Sequence, residues 1–209
     1  MEKPHVSRRL GLPLLWSLII IAIAGCQAPL DKRWQMLDGA IEAAIATNQI
    51  PGAVLLTTRD GEVILHRAYG FSDPLTQDPM QPNTLFRICS QTKAITSTAA
   101  LICWENGLLE LDDPVAKYIP DFTALKTPSG RPANLTITQI LSHTSGLGEA
   151  SGPAALEART LADLVPLWLA AQMQFEPGAQ WKYCQSGINL AGRIVEVVSG
   201  KPFDVFVRE

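Results

Sequence analysis

Phe86-Arg87-Ile88-Cys89-Ser90-Gln91-Thr92-Lys93, followed by the apolar run Ala94-Ile95-Thr96-Ser97-Thr98-Ala99-Ala100-Leu101-Ile102, is the stretch whose reading decides the fold. A serine hydroxyl is a poor nucleophile until a neighbouring base takes its proton. A helix beginning at Ser90 sets Lys93 on the same face, one turn on. Burial in an apolar pocket disfavours a lysine's charged form, which would let Lys93 act as that base. The same helix start aims free backbone N–H groups, and the positive end of the helix dipole, at Ser90. Taken alone, Ser-x-x-Lys fits a serine N-cap followed by a solvated lysine better than it fits a catalytic pair. The segments on either side decide between the two.

Upstream, Ala53-Val54-Leu55-Leu56-Thr57-Thr58 and Val63-Ile64-Leu65-His66-Arg67-Ala68-Tyr69 read as two strands joined by the hairpin chemistry of Arg59-Asp60-Gly61-Glu62. The first strand is apolar throughout and is expected to be covered on both faces, one of them by a helix over residues 31–48. Trp34, Leu37, Ile41, Ala44 and Ile45 recur there at helical spacing, and Pro51-Gly52 marks the stop. His66 reads as an ordinary strand residue. Pro74, Pro79 and Pro82 make residues 70–84 a surface loop.

The N-terminus has the wording of an export signal. A basic start leads into an apolar run over residues 10–24, too short for a comfortable membrane span, that ends in Ile23-Ala24-Gly25-Cys26. That ending resembles the bacterial lipobox, which implies cleavage after residue 25 and lipidation of Cys26; the alternative is an uncleaved anchor or a signal with a chance cysteine. Either way the rest faces an extracytoplasmic space; the lipobox reading makes it an exported, lipid-anchored protein of the bacterial cell envelope. The formal charge is −3; three basic residues against one acidic in the first 25 put the remaining chain at −5. No basic patch survives there to suggest nucleic acid. At 209 residues and 47% hydrophobic, the chain can form one domain with a sizeable core, or most of a larger one. The domain division expected is a signal peptide over 1–25 and one domain over 26–209, incomplete at its C-terminus.

Downstream of the quoted stretch the helix is apolar nearly all round, hence central, and stops at Asn106-Gly107. Leu111-Asp112-Asp113-Pro114 starts a short helix with proline just inside it. Thr136-Ile137-Thr138-Gln139 has capping-box spacing. In Ser142-His143-Thr144-Ser145-Gly146-Leu147 a histidine beside serines invites a triad reading, but the chain has no Gly-x-Ser-x-Gly elbow, so His143 reads as an organiser of a turn. A helical stretch over 160–171 contains Pro166. Trp181-Lys182-Tyr183-Cys184-Gln185 is a loop after the Pro177-Gly178 turn, and apolar spacing is helical again over 188–198. Residues 203–209 begin a further amphipathic helix with no stop signal, which leads us to expect that the domain continues. Cys89, Cys103 and Cys184 suit neither a zinc site nor a disulfide framework and are expected to be buried free thiols, with a Cys89–Cys184 bridge as the lesser alternative.

Two strands, a helix opening with Ser-x-x-Lys, then Leu141-Ser142-His143-Thr144-Ser145-Gly146-Leu147, then a tyrosine loop: this order resembles the serine β-lactamase and penicillin-binding superfamily, in particular its class C-like branch. Phe86-Arg87-Ile88, the segment from Gly107-Leu108-Leu109 to Tyr118-Ile119-Pro120, and Gly192-Arg193-Ile194-Val195-Glu196-Val197-Val198-Ser199-Gly200 are similar to that branch's wording. The likeness covers residues 34–209. It implies an α+β, β-lactamase/transpeptidase-like fold: an antiparallel sheet flanked by helices plus a mainly helical subdomain, with the C-terminal strands missing.

The resemblance also implies chemistry. Ser90 would be the acylated nucleophile, Lys93 would help to deprotonate it, and Tyr183 would match the tyrosine of the family's Tyr-x-Asn motif. A phenolate beside an ammonium is stabilised, so Tyr183 could act as a base well below a free phenol's pKa near ~10. Gln185 stands at the motif's asparagine, a substrate-binding position, with the same amide on a side chain one methylene longer. Cys184 stands between them, where serine is common. The third motif, Lys-Thr-Gly or His-x-Gly downstream of the tyrosine, does not occur in residues 1–209. The implied activity is acyl transfer to water from a β-lactam, a D-alanyl or other peptidoglycan-derived peptide, or a small ester, with no metal or organic cofactor. The missing motif leaves residues 1–209 by themselves expected to be inactive. The rival is a non-catalytic envelope protein that keeps the fold to bind peptidoglycan or a partner.

Overall fold

The computed structural model describes residues 28–209, with side chains from residue 32 onward. The expected export signal and Cys26 lie outside these described residues. Two compact units divide the chain after Phe86.

In the first unit, helix α1 (Ala28–Ala46) precedes strands β1 (Gly52–Arg59), β2 (Glu62–Asp73) and β3 (Asp78–Pro79), which form an antiparallel sheet in the order β1-β2-β3. The hairpin turns on Asp60 and Gly61, both at positive φ (52° and 84°). Two left-handed residues in a row give a turn whose twist matches that of the strands. Ala53 faces Tyr69 and Leu55 faces Arg67 in the resulting register. Asp38 clamps α1 to β2 by accepting from the Arg67 guanidinium and the Tyr69 hydroxyl. His66 donates from Nε2 to the Pro82 carbonyl at 3.0 Å, as a strand residue would. Two expectations are corrected here. β1 is half-buried rather than covered on both faces, and Leu56 is 55% exposed, because within this unit the clamped α1 side is the covered one. The loop over 70–84 also contains order: β2 runs to Asp73 and β3 returns along it, with Met80 buried beyond.

The second unit is mainly helical. Cys89–Gln91 forms one 3₁₀ turn that leads into α2 (Thr92–Glu105). Ile137–Leu141 forms α3, Pro153–Glu157 α4, Val165–Ala170 α5, Gln185–Ser199 α6 and Phe203–Arg208 α7. α6 packs on both α2 and α3. Ile188, Leu190, Ala191, Ile194 and Val195 are buried along α6 at helical spacing, and the core continues through Trp168, Phe122, Leu135, Ile137, Ile140 and Leu147. Each of these large side chains contributes roughly 1.5–3 kcal/mol through burial. The capping box at Thr136 forms as expected: its hydroxyl accepts from the Gln139 N–H and Gln139 answers at the Thr136 N–H. Pro166 sits in the first turn of α5, where a missing N–H costs nothing, so the stretch over 160–171 splits into a 3₁₀ turn (Ala162–Leu164) and α5.

Three local expectations give way. Pro114 lies just before its 3₁₀ turn (Val115–Lys117) rather than inside it, because it bridges Thr136 while the Val115 N–H bonds to the Leu135 carbonyl. α2 buries Thr96, Ala99, Ala100 and Cys103, but Ile95, Leu101, Ile102 and Trp104 stay exposed, so the helix is covered on one face only. Cys89 is exposed, unlike the buried Cys103 and Cys184, and all three thiols are free. α4 opens on Pro153 in a stretch whose periodicity is too short to announce it.

The loop over 143–147 is fixed by its backbone. His143 (φ 62°) and Gly146 (φ 75°) are left-handed, and a Cβ on Gly146 would stand 2.2 Å from the Phe175 carbonyl oxygen. Strain and overlap act together there, so Gly146→Ala should destabilise the fold by more than ~1 kcal/mol, read as a lowered urea midpoint. An unchanged midpoint would show that the loop can move away.

Candidate active site

Ser90 lies in the 3₁₀ turn, two residues before α2, rather than at the first residue of the α-helix. Lys93 is in the first turn of α2, and the tighter turn still brings the two together: Nζ donates to Ser90 Oγ at 3.1 Å. Tyr183 donates its hydroxyl to the same oxygen at 2.8 Å. The Lys93 ammonium stands 4.8 Å from the centre of the Tyr183 ring. Gln185, the first residue of α6, accepts from Lys93 through Oε1 and donates through Nε2 to Asn189 Oδ1 at 2.8 Å. Thus Ser90, Lys93, Tyr183 and Gln185 converge, all within the second unit. Of these four, Ser90 and Gln185 line an open cleft of about 490 Å³, together with Arg87, Ile88, Cys89 and Thr92. Cys89 precedes Ser90 at φ 46°, a left-handed conformation that costs a non-glycine residue of order 1 kcal/mol or more and often accompanies functional turns.

The loop over 143–149 is the bed on which Tyr183 lies. The Gly178 N–H bonds to the Thr144 carbonyl, Gln174 to Gly146, and Lys182 to His143, all at 2.8–2.9 Å. The His143 ring lies 4.8 Å from the Tyr183 ring and meets Trp181 edge-on, while its Nδ1 accepts from the Cys184 N–H at 3.2 Å. Burial, with the nearby Lys93 charge, lowers the His143 pKa and keeps the imidazole neutral, as an accepting Nδ1 requires. His143 therefore organises the turn and touches Tyr183 rather than Ser90.

Two polar groups of the site escaped the sequence. Glu149 accepts from the Gln185 N–H (2.6 Å) and from the Ser186 N–H and hydroxyl (2.9 and 2.8 Å). Asn189 orients the Gln185 amide. Asn189 could have been found from its i, i+4 spacing to Gln185; Glu149, 36 residues from its partner, leaves no local signal. Cys184 is the N-cap of α6, with Sγ accepting from the Gly187 N–H at 3.4 Å and donating to the Leu147 carbonyl at 3.4 Å. Burial pushes this thiol's pKa up, so it stays protonated and able to donate. Among the described residues no cluster of His, Cys, Asp or Glu is placed to hold a metal ion, and no helix is long and apolar enough to cross a membrane.

The electrostatics single out Tyr183. Its contact with Lys93, then its bond to Ser90, hold the phenol below its ordinary pKa. Tyr69 and Tyr118 move the other way, first through burial and then through their bonds to Asp38 and Asp113. Of the three tyrosines, Tyr183 should ionise first as pH rises, and Lys93→Met should shift that step to higher pH because the group favouring the phenolate is gone. An ultraviolet phenolate titration reads both; a step unmoved by Lys93→Met would uncouple the pair.

Comparison with known proteins identifies the family. The Beta-lactamase family model matches residues 37–209. Esterase EstB of Burkholderia gladioli is 32% identical over 181 residues, spanning 79% of this chain and 45% of that protein. Among solved structures, EstCE1, described as a hydrolase with promiscuous acyltransferase activity, superposes with a TM-score of 0.77 at 31% identity, covering 88% of this chain and 50% of that one. A class C beta lactamase from Rhodobacter sphaeroides gives 0.66 at 30% identity, covering 82% and 46%. The chain therefore spans about half the length of these relatives. With its helices and antiparallel sheet forming part of the β-lactamase/transpeptidase-like fold, the chain belongs to the beta-lactamase family, within the serine β-lactamase and penicillin-binding superfamily.

Proposed function

We propose that the protein is a serine hydrolase that works through an acyl-enzyme on Ser90. One observation carries the reading: a single exposed hydroxyl oxygen, Ser90 Oγ, receives hydrogen bonds from both Lys93 and Tyr183. In the reactive form Tyr183 is the phenolate, favoured by the Lys93 ammonium. It takes the Ser90 proton as Oγ bonds to the acyl carbon, then returns that proton to the leaving group as the tetrahedral adduct breaks down. Water enters by the same route, releases the acid and restores Ser90. The Ser90 amide N–H is one oxyanion donor; a lost donor of this kind costs ~10²–10³ in turnover, so a complete hole needs a second group.

The substrates are small acyl donors: an ester, a D-alanyl peptide or a β-lactam. Likeness to an esterase and to a hydrolase with acyltransferase activity favours the ester. In the full-length protein Ser90→Ala should abolish labelling by a fluorophosphonate; labelling that persisted would end the assignment. Export and a lipid anchor at Cys26 complete the proposal, supported by Ile23-Ala24-Gly25-Cys26 at the end of the apolar run. Labelled palmitate should be incorporated into the wild type and not into Cys26→Ser; equal incorporation into both would remove the anchor.

A further inference from the structure

The backbone that presents Tyr183 and Gln185 is held almost wholly from one side. Between residues 182 and 186, the Lys182 N–H goes to the His143 carbonyl and the Cys184 N–H to the His143 imidazole. The Gln185 N–H, the Ser186 N–H and the Ser186 hydroxyl all go to the Glu149 carboxylate. Three of these five bonds thus end on one ionised side chain, and bonds to a charged acceptor are roughly twice as strong as neutral ones.

The first turn of α6 needs such an acceptor. A helix begins with unpaired N–H groups, and its own cap normally satisfies one of them. Here that cap is a thiol, a weak acceptor, 3.4 Å from the Gly187 N–H. The carboxylate of Glu149 makes shorter bonds and adds a negative charge at the positive end of the helix dipole. Tyr183 is 48% exposed, so packing alone does not fix its phenol. The ring is aimed by the backbone on either side of it, and Gln185 Oε1 reaches Lys93 from the very residue whose N–H Glu149 holds.

We propose that Glu149 is a positioning residue of the Ser90 site: its carboxylate locks the start of α6 so that the Tyr183 hydroxyl and the Gln185 amide meet Ser90 and Lys93 in register. This rests on the acyl-enzyme reading given above. Glu149 touches none of the reacting atoms; it acts through the segment it holds. A residue that merely capped a helix would alter stability and leave the turnover of folded protein in place.

The test uses the full-length protein with p-nitrophenyl acetate as the ester. Glu149→Ala should lower kcat by ~10-fold to ~100-fold with a much smaller change in KM, the signature of misaligned groups rather than lost binding. Glu149→Asp, which keeps the charge, should recover part of that loss. Should the alanine variant fail to fold, Glu149→Gln decides. It keeps an oxygen for Ser186 while losing the charge, and should lower kcat by ~10-fold with KM nearly unchanged. A folded Glu149→Ala or Glu149→Gln variant with kcat within twofold of wild type would overturn the proposal. If Ser90→Ala retained full turnover, the acyl-enzyme reading would fall instead.

Discussion

Main-chain hydrogen bonds between residues 143–146 and residues 174–182 carry the second unit's chemistry. They connect a loop that follows α3 to the loop that precedes α6, and neither contains regular structure of its own. Loops ordinarily satisfy their polar groups with water, and two of them docked together must find partners in each other. Gly146 permits the close approach by presenting bare backbone to the Phe175 carbonyl, and His143 turns the chain so that its carbonyl and imidazole both face the tyrosine segment. The aim of Tyr183 follows from that docking. Ser90 and Lys93, by contrast, owe their meeting to three residues of local geometry.

Two substitutions relative to the family's wording look minor in sequence and are bound up with each other in space. The extra methylene of Gln185 lets its amide reach Lys93 while the nitrogen end remains tied to Asn189 one turn along α6. One amide hydrogen is thereby committed to the helix and one is left. Cys184 replaces a hydroxyl cap by a buried thiol that spans from Leu147 to Gly187 with long bonds at both ends. Each change keeps the chemical type of contact while altering its length or strength.

Local chemistry was the legible part. The hairpin at Asp60-Gly61, the Thr136 capping box, the stop at Asn106-Gly107 and the helical stripe of α6 all rest on interactions within a few residues, which a single sequence displays directly. The spacing of Ser90 and Lys93 was legible for the same reason, but reading them as a pair rather than as a capped helix start rested on the segments on either side. Tyr183 was found only because several segments matched a family in order; nothing in its own neighbourhood says which way a loop tyrosine faces. Glu149 stayed hidden because its partners lie 36 and 37 residues on, and an exposed glutamate in a glycine-containing loop looks like any solvated charge. The reading of β1 as covered on both faces failed for a related reason. Apolar composition records what a strand can bury and is silent on which neighbours are there to cover it.

The reliance of α6 on a distant carboxylate sets an order of assembly. The β1–β2 hairpin, α3 with its capping box and the 3₁₀ turn at Ser90 close over short stretches of chain, at small entropic cost. The start of α6 has only a thiol of its own, so it becomes firm when a 36-residue excursion has folded back and delivered Glu149. Contacts so far apart along the chain are gained late, since the loop must close before they reward it. The turn that joins Ser90 to Lys93 is therefore set by local geometry, while the segment that carries Tyr183 waits on the closure of a much longer stretch of chain.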